Sequence, residues 1–231
     1  DRSPLKGEIE VHLTAGRSMR RFRLRAVPEP LTFYKFSAHA TGLDSPDPLQ
    51  SSRDLCRQAA AAGYDLLLAE HAARWAERWE DCDIQIEGDP AAQQALRFSL
   101  YHLLSIVPTH SDRVSIPARG MSGQMYKGAI FWDTEIFMLP FFLHTFPHLA
   151  RNLLRYRCHT LEGARRKARQ YGCRGAFYAW ESQDTGDDAC TLFNITDVFT
   201  NRPMRTYFRD KQVHISGDIA HALWQYYDHT G

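Results

Sequence analysis

Apolar residues alternate with polar ones at the start of the chain and then switch to a helical spacing. Ile9, Val11 and Leu13 alternate with polar neighbours, Thr14 to Ser18 supplies a turn, and a further alternating stretch follows at Phe22 and Leu24. Alternation of period two predicts strands with one buried face, and Leu31 to Ala40 reads as another strand. Three such strands cannot bury a core alone, so they are expected to belong to a larger sheet. Asp44-Ser45-Pro46-Asp47-Pro48 then breaks the pattern and marks a domain boundary.

Beyond the break the periodicity is helical. Tyr64, Leu68, His71, Trp75 and Trp79 fall on one face of a helix. Leu96, Leu100, Leu103, Leu104 and Val107 repeat that pattern, as do Ile219, Leu223, Tyr226 and Tyr227. The strongly apolar stretch from Ile136 to Arg157 reads as helix interrupted around Pro140 and Pro147. Pro108 to Gly128 and Gly172 to Lys211 have little periodicity, and loops of that length inside a compact domain usually carry function. Helices joined by long loops predict a mainly α domain, a helical barrel with its site at the loop end. A plain helical bundle would show the same periodicity.

Composition narrows the function classes. With 44% hydrophobic and 24% charged residues in 231, the chain is a folded protein of one large or two modest domains. A formal charge of +1 gives no reason to expect a nucleic acid or other polyanion. The basic residues Arg151, Arg155, Arg157, Arg165, Arg166, Lys167 and Arg169 read as a solvated helix face. Cys56, Cys82, Cys158, Cys173 and Cys190 form no CxxC pair, which speaks against structural zinc and for free thiols in a reducing cytoplasm. Asn194-Ile195-Thr196 fits a glycosylation acceptor pattern, a weak signal by itself. No apolar run approaches the length of a membrane span, and the first residues do not read as a signal peptide. The chain starts without Met and Gly231 directly follows a helix-like segment, so a piece of a longer protein is expected.

Two clusters carry chemistry. Tyr126-Lys127-Gly128-Ala129-Ile130-Phe131-Trp132-Asp133-Thr134-Glu135 sets two carboxylates, a lysine and large aromatic rings together, and Tyr178-Ala179-Trp180-Glu181-Ser182 repeats the theme. Rings beside carboxylates suit sugars, whose apolar face stacks while their hydroxyls donate hydrogen bonds to charged oxygens. The plain alternative is that Trp132 plugs the core and Asp133 caps a helix starting at Thr134 or Glu135. Trp180 and Glu181 have a similar alternative, a surface loop with one buried ring, which the surrounding Gly172, Gly175 and Gly186 weaken. Arg119-Gly120 and Gly123 read the same way; Arg119 suits a hydroxyl or phosphate oxygen, or an ion pair. His110, His144, His148, His159 and His214 lack compact ligand spacing, so no metal is expected. Asp184, Asp187 and Asp188 do not match a calcium loop and read as polar loop residues. No GxGxxG, P-loop or GxSxG motif is present, which argues against nucleotide enzymes and serine hydrolases.

At these clusters the sequence resembles the disaccharide phosphorylases of glycoside hydrolase family 65. The resemblance runs from Ala118-Arg119-Gly120-Met121-Ser122-Gly123 through Phe131 to Phe137, Leu139 to Phe142 and Leu153 to Arg157. It continues to Trp180-Glu181-Ser182 and His214 to Ala220, and covers roughly residues 50–231. It implies the end of a β-sandwich over residues 1–45, a helical linker over 46–88 and the first part of an (α/α)6 barrel over 89–231. It also implies that Trp132 and Asp133 line the site for the non-reducing glucose, with Trp180 and Glu181 nearby. Two departures stand out: Ala129 where the family usually has His, and Ala179 where it usually has Pro.

The resemblance further implies inverting phosphorolysis of an α-linked glucose disaccharide to β-glucose 1-phosphate and glucose. Inorganic phosphate is then a co-substrate, with no metal or organic cofactor. The family's general acid lies in a later motif, so no catalytic acid is expected within these residues and the fragment alone should be inactive. The alternatives are a family hydrolase such as an acid trehalase, or a non-catalytic carbohydrate-binding protein. A cytoplasmic location, the disaccharide and phosphate as partners and a homodimer complete the expectation; no membrane or nucleic-acid partner is expected.

Overall fold

The computed structural model describes residues 8–14 and 17–23 as backbone, and residues 32–120, 125–193 and 195–231. The chain divides into two compact units, Asp1–Ala76 and Glu77–Gly231.

In the first unit, β1 (Glu8–Thr14) pairs antiparallel with β2 (Arg17–Arg23), with Ile9 opposite Phe22 and Leu13 opposite Ser18. The strand expected over Leu31–Ala40 is absent: residues 32–40 have no regular structure. Its side chains engage helices instead, with the Tyr34 ring stacked on Tyr64 at 4.6 Å and the Cys56 thiol donating to the Phe36 carbonyl. Leu24 and Leu31 lie outside the described residues. Helix α1 (Pro48–Ala62) starts where the sequence breaks, because Asp47 accepts from the Gln50 amide and Pro48 needs no amide partner in the first turn. Gly63, at φ 84°, ends it in a conformation that costs other residues strain. Helix α2 (Tyr64–Cys82) follows as predicted, but its apolar stripe is not buried: Tyr64 and Leu68 are 44% and 49% exposed.

The second unit is helical. Asp89 accepts from the amides of Ala91 and Ala92 to start α3 (Pro90–Ile106), which buries Leu100 and Leu104. One turn of π-helix over Thr134–Met138 runs into α4 (Leu139–Thr145), followed by α5 (Pro147–His159) and α6 (Leu161–Gln170). Pro147 opens α5, where a missing amide hydrogen costs nothing, and Pro140 falls where the π turn passes into α4, so both mark interruptions of the apolar stretch as the sequence predicts. A short hairpin of β3 (Ile195–Thr196) and β4 (Pro203–Met204) and one turn, α7 (Phe208–Lys211), precede α8 (His214–Thr230). Helix α8 buries Ile215, Ile219 and Ala222, while Leu223 and Tyr227 of the predicted stripe are exposed.

Helices α4, α5 and α8 pack on one another, with Leu139, Phe142, Leu153 and Ile215 fully enclosed. Each such side chain contributes about 1.5–3 kcal/mol by leaving water. The basic residues read as a solvated face divide. Arg155 and Arg166 are on the surface, but Arg157 and Lys167 are buried, each paired with an acid distant in sequence. Near α6 the backbone passes very close: a Cβ on Gly163 would lie 2.2 Å from the Gly186 carbonyl carbon, and one on Gly186 would lie 2.2 Å from the Thr160 oxygen.

Candidate functional site

The two aromatic–carboxylate clusters meet through a short antiparallel bridge. The Ile130 amide donates to the Ser182 carbonyl at 2.8 Å and the Ser182 amide returns a bond to the Ile130 carbonyl at 3.0 Å. Around this bridge lies an open pocket of about 630 Å³ lined by Arg119, Trp132, Asp133, Trp180 and Glu181, all five of the residues the sequence singles out. Tyr126, Phe131 and Phe208 complete its aromatic walls. Its size is that of an ordinary small-molecule site.

Each wall has an identifiable support. Trp180 stacks on Phe208 at 5.2 Å and meets the edge of Phe131, which in turn meets the edge of Tyr126. Trp132 rests on the cluster of Ala164, Tyr178, Ile215 and Ile219, and the His214 ring stands perpendicular to it at 4.9 Å. The buried indole nitrogen of Trp132 has no hydrogen-bond partner among the described residues.

The acids fall into different roles. Asp133 sits just before the π turn, and its side chain makes no capping hydrogen bond there. The helix-cap alternative therefore fails for this residue, whose half-buried carboxylate faces the pocket. Glu135, two residues on, is fully buried and gripped by Arg157 through bonds of 2.7 and 2.8 Å; the same guanidinium reaches the Phe131 carbonyl at 3.0 Å. That arrangement fixes the backbone on which Trp132 and Asp133 stand. Glu181 is 4% exposed and its Oε2 lies 3.0 Å from Lys127 Nζ.

Asp188 is the functional support that sequence reasoning missed. Read as a polar loop residue, it is instead buried, accepting from the amides of Trp180, Glu181 and Cys190 and from Lys167 at 2.7 Å. Burial lowers the Lys167 ammonium below the usual lysine range, against the opposing pull of Asp188. Tyr156 adds a second brace, donating to the Gln183 carbonyl and bonding Ser182 Oγ at 2.8 Å; burial pushes its phenol above the usual range. Ala129 is fully buried within the turn, donating to Tyr126 and accepting from Ala118, and it does not line the pocket. Ala179 is buried too.

Among the described residues, no group of His, Cys, Asp and Glu is placed to hold a metal ion, and no helix is long and apolar enough to cross a membrane. All five cysteines are free. Gly123 and Asn194 lie outside the described residues.

The second unit is mainly α, and its loops gather two tryptophans and two carboxylates around one pocket, an arrangement suited to a sugar. The chain belongs to glycosyl hydrolase family 65: residues 97–231 match that family's central catalytic domain. It is 53% identical over 202 residues to a nigerose phosphorylase of Lachnoclostridium phytofermentans, covering 87% of this chain and 27% of the relative. It is also 40% identical over 185 residues to a kojibiose hydrolase of Flavobacterium johnsoniae, covering 80% of this chain and 25% of the relative. Among solved structures, a human-microbiome protein assigned as a kojibiose phosphorylase shares the fold, with a TM-score of 0.63 and 23% identity. That match covers 77% of this chain and 24% of the other. The chain thus spans about a quarter of the length of the relatives it matches.

Proposed function

We propose that this chain is part of an inverting phosphorylase that cleaves an α-linked glucose disaccharide with inorganic phosphate, giving β-glucose 1-phosphate and a free sugar. The pocket receives the non-reducing glucose. Trp132 and Trp180 stack on its apolar faces, Asp133 and Glu181 accept from its hydroxyls, and Arg119 donates to a hydroxyl or phosphate oxygen. The observation that carries this reading is Asp133, a pocket carboxylate with no capping bond to make, flanked by two tryptophan walls.

In the reaction, a carboxylic acid protonates the glycosidic oxygen while phosphate attacks the anomeric carbon from the opposite face, so the α-linkage yields a β-product. Asp133 holds sugar hydroxyls in place as the bond breaks, and the proton comes from an acid outside this chain. The domain layout that accompanies the reading is a sandwich end over 1–45, a linker over 46–88 and barrel over 89–231, in a cytoplasmic homodimer.

Identity to a kojibiose hydrolase favours one second reading, in which water replaces phosphate and a second carboxylate activates it. The deciding experiment incubates the full-length protein with trehalose, maltose, kojibiose and nigerose, with and without phosphate. Phosphate-dependent β-glucose 1-phosphate from one sugar supports the phosphorylase, and glucose release indifferent to phosphate supports the hydrolase. Sugar binding without turnover would leave a binding protein.

A further inference from the structure

The turn that carries Tyr126 and Lys127 is unusual in its backbone. Both residues sit in the left-handed region, at φ 62° and 56°, ahead of Gly128 at 71°. Non-glycine residues held there cost on the order of 1–3 kcal/mol each and persist only where surrounding contacts enforce them. The contacts here are specific. Lys127 Nζ meets Glu181 Oε2 at 3.0 Å and the Ala189 carbonyl at 3.2 Å, and the Gln183 amide donates back to the Lys127 carbonyl at 3.4 Å. The consequence is a turn clamped from the first cluster onto the second.

Lys127 is itself half-exposed and does not line the pocket, whereas its partner Glu181 is 4% exposed and does. A buried carboxylate left unpaired is expensive, and its side chain turns toward water or a new donor to recover solvation. Lys127 occupies one acceptor position on Oε2, so the directions in which the remaining lone pairs of the carboxylate can meet a ligand are set by that contact. Tyr126, anchored by the same turn, lines the pocket with its ring edge-on to Phe131.

We propose that Lys127 is a positioning residue for the sugar site: it fixes the orientation of the Glu181 carboxylate and, through the strained turn, the Tyr126 wall. It acts through these two side chains and touches no substrate. This assignment rests on the reading of the pocket as the glucose site.

The test uses the full-length protein, its preferred disaccharide and its co-substrate. Lys127→Met is expected to raise KM between about 10- and 100-fold, as small misplacements of a binding group do, with kcat changed less than about threefold. Lys127→Arg, which can still reach Glu181, is expected to restore most of that loss. In a Glu181→Gln background, Lys127→Met is expected to raise KM several-fold less than it does in the wild type, because only its effect on the Tyr126 wall remains, and an undiminished effect there overturns the assignment. An active wild type with an unchanged KM in Lys127→Met, or no rescue by arginine, overturns the assignment alone. Should the methionine variant fail to fold, Lys127→Gln is measured against Lys127→Arg with the same two expectations. A wild type inert toward every α-linked glucose disaccharide overturns the reading of the pocket, and the assignment with it.

Discussion

Arg157 and Glu135 face each other through two parallel bonds of 2.7 and 2.8 Å, neither side chain exposed at all, directly behind the backbone that presents Trp132 and Asp133. Breaking such a pair by removing one partner costs about 3–5 kcal/mol, since the other charge stays buried and uncompensated. Glu135→Leu and Arg157→Met should each lower the free energy of unfolding measured in urea by that amount. The double variant Glu135→Leu, Arg157→Met should cost less than the two single changes added together. Strict additivity would mean that the two side chains do not interact energetically.

Asp133 and Asp188 should part company under the same substitution. Asp133 makes no capping bond, so Asp133→Asn should leave thermal stability within about 0.5 kcal/mol. It should also reduce kcat/KM at least about a hundredfold. Asp188 accepts three backbone amides and the Lys167 ammonium, so Asp188→Asn should lower stability and activity together. Calorimetry and steady-state kinetics on the two variants separate the cases. Lost stability in Asp133→Asn would return that residue to a structural role.

Two glycines should respond in opposite directions to alanine. Gly186, at φ 73° and with no room for a Cβ beside Thr160, should lose several kcal/mol or fail to fold as Gly186→Ala. Gly217 lies inside α8 with nothing within 4 Å of its missing Cβ. Gly217→Ala should stabilise by about 0.5–1 kcal/mol through helix propensity. Thermal melts of the two variants check both signs.

Cys190 should behave unlike the exposed Cys158 and Cys173. Burial, reinforced by Glu181 and Asp188, pushes its thiol up to about 11. Only the thiolate is the nucleophile, so iodoacetamide at pH 8 should modify Cys158 and Cys173 and spare Cys190 until the protein unfolds. Mass spectrometry of the alkylated peptides reads this directly. Because the folded state keeps this proton longer than the unfolded chain, the associated stability is complete below about pH 8.5 and is lost as pH rises toward 11. Cys190→Ala should flatten the alkaline limb of the stability profile.

Much of this was legible in the sequence because it depends on local rules. The prolines at 140 and 147 mark the interruptions of the apolar stretch, and Leu100 and Leu104 are buried on the face their spacing predicts. The five residues chosen for their chemistry share one pocket. The misses involve partners far away along the chain. Arg157 and Lys167 look like solvated charge until Glu135 and Asp188, some twenty residues distant, are brought to them by folding. Hydropathy records that a side chain is charged and carries no information about whether a counter-charge will arrive. Residues 32–40 failed as a strand for a related reason: alternation cannot reveal whether a neighbouring strand exists to pair with. In α8 the stripe was offset because Leu223 and Tyr227 lie on a face that stays partly or largely exposed among the described residues, while small Ala222 fits where the helices touch.

The bridge between Ile130 and Ser182 pins together points about fifty residues apart, a closure that only the assembled fold can sustain. Its two amides are therefore natural reporters for hydrogen exchange. Local fraying cannot free one without the other, so both should exchange at a common rate set by the cooperative opening of the whole pocket. A sugar that binds the closed form would slow the two by the same factor, giving a ligand assay that needs no turnover and no knowledge of the reaction.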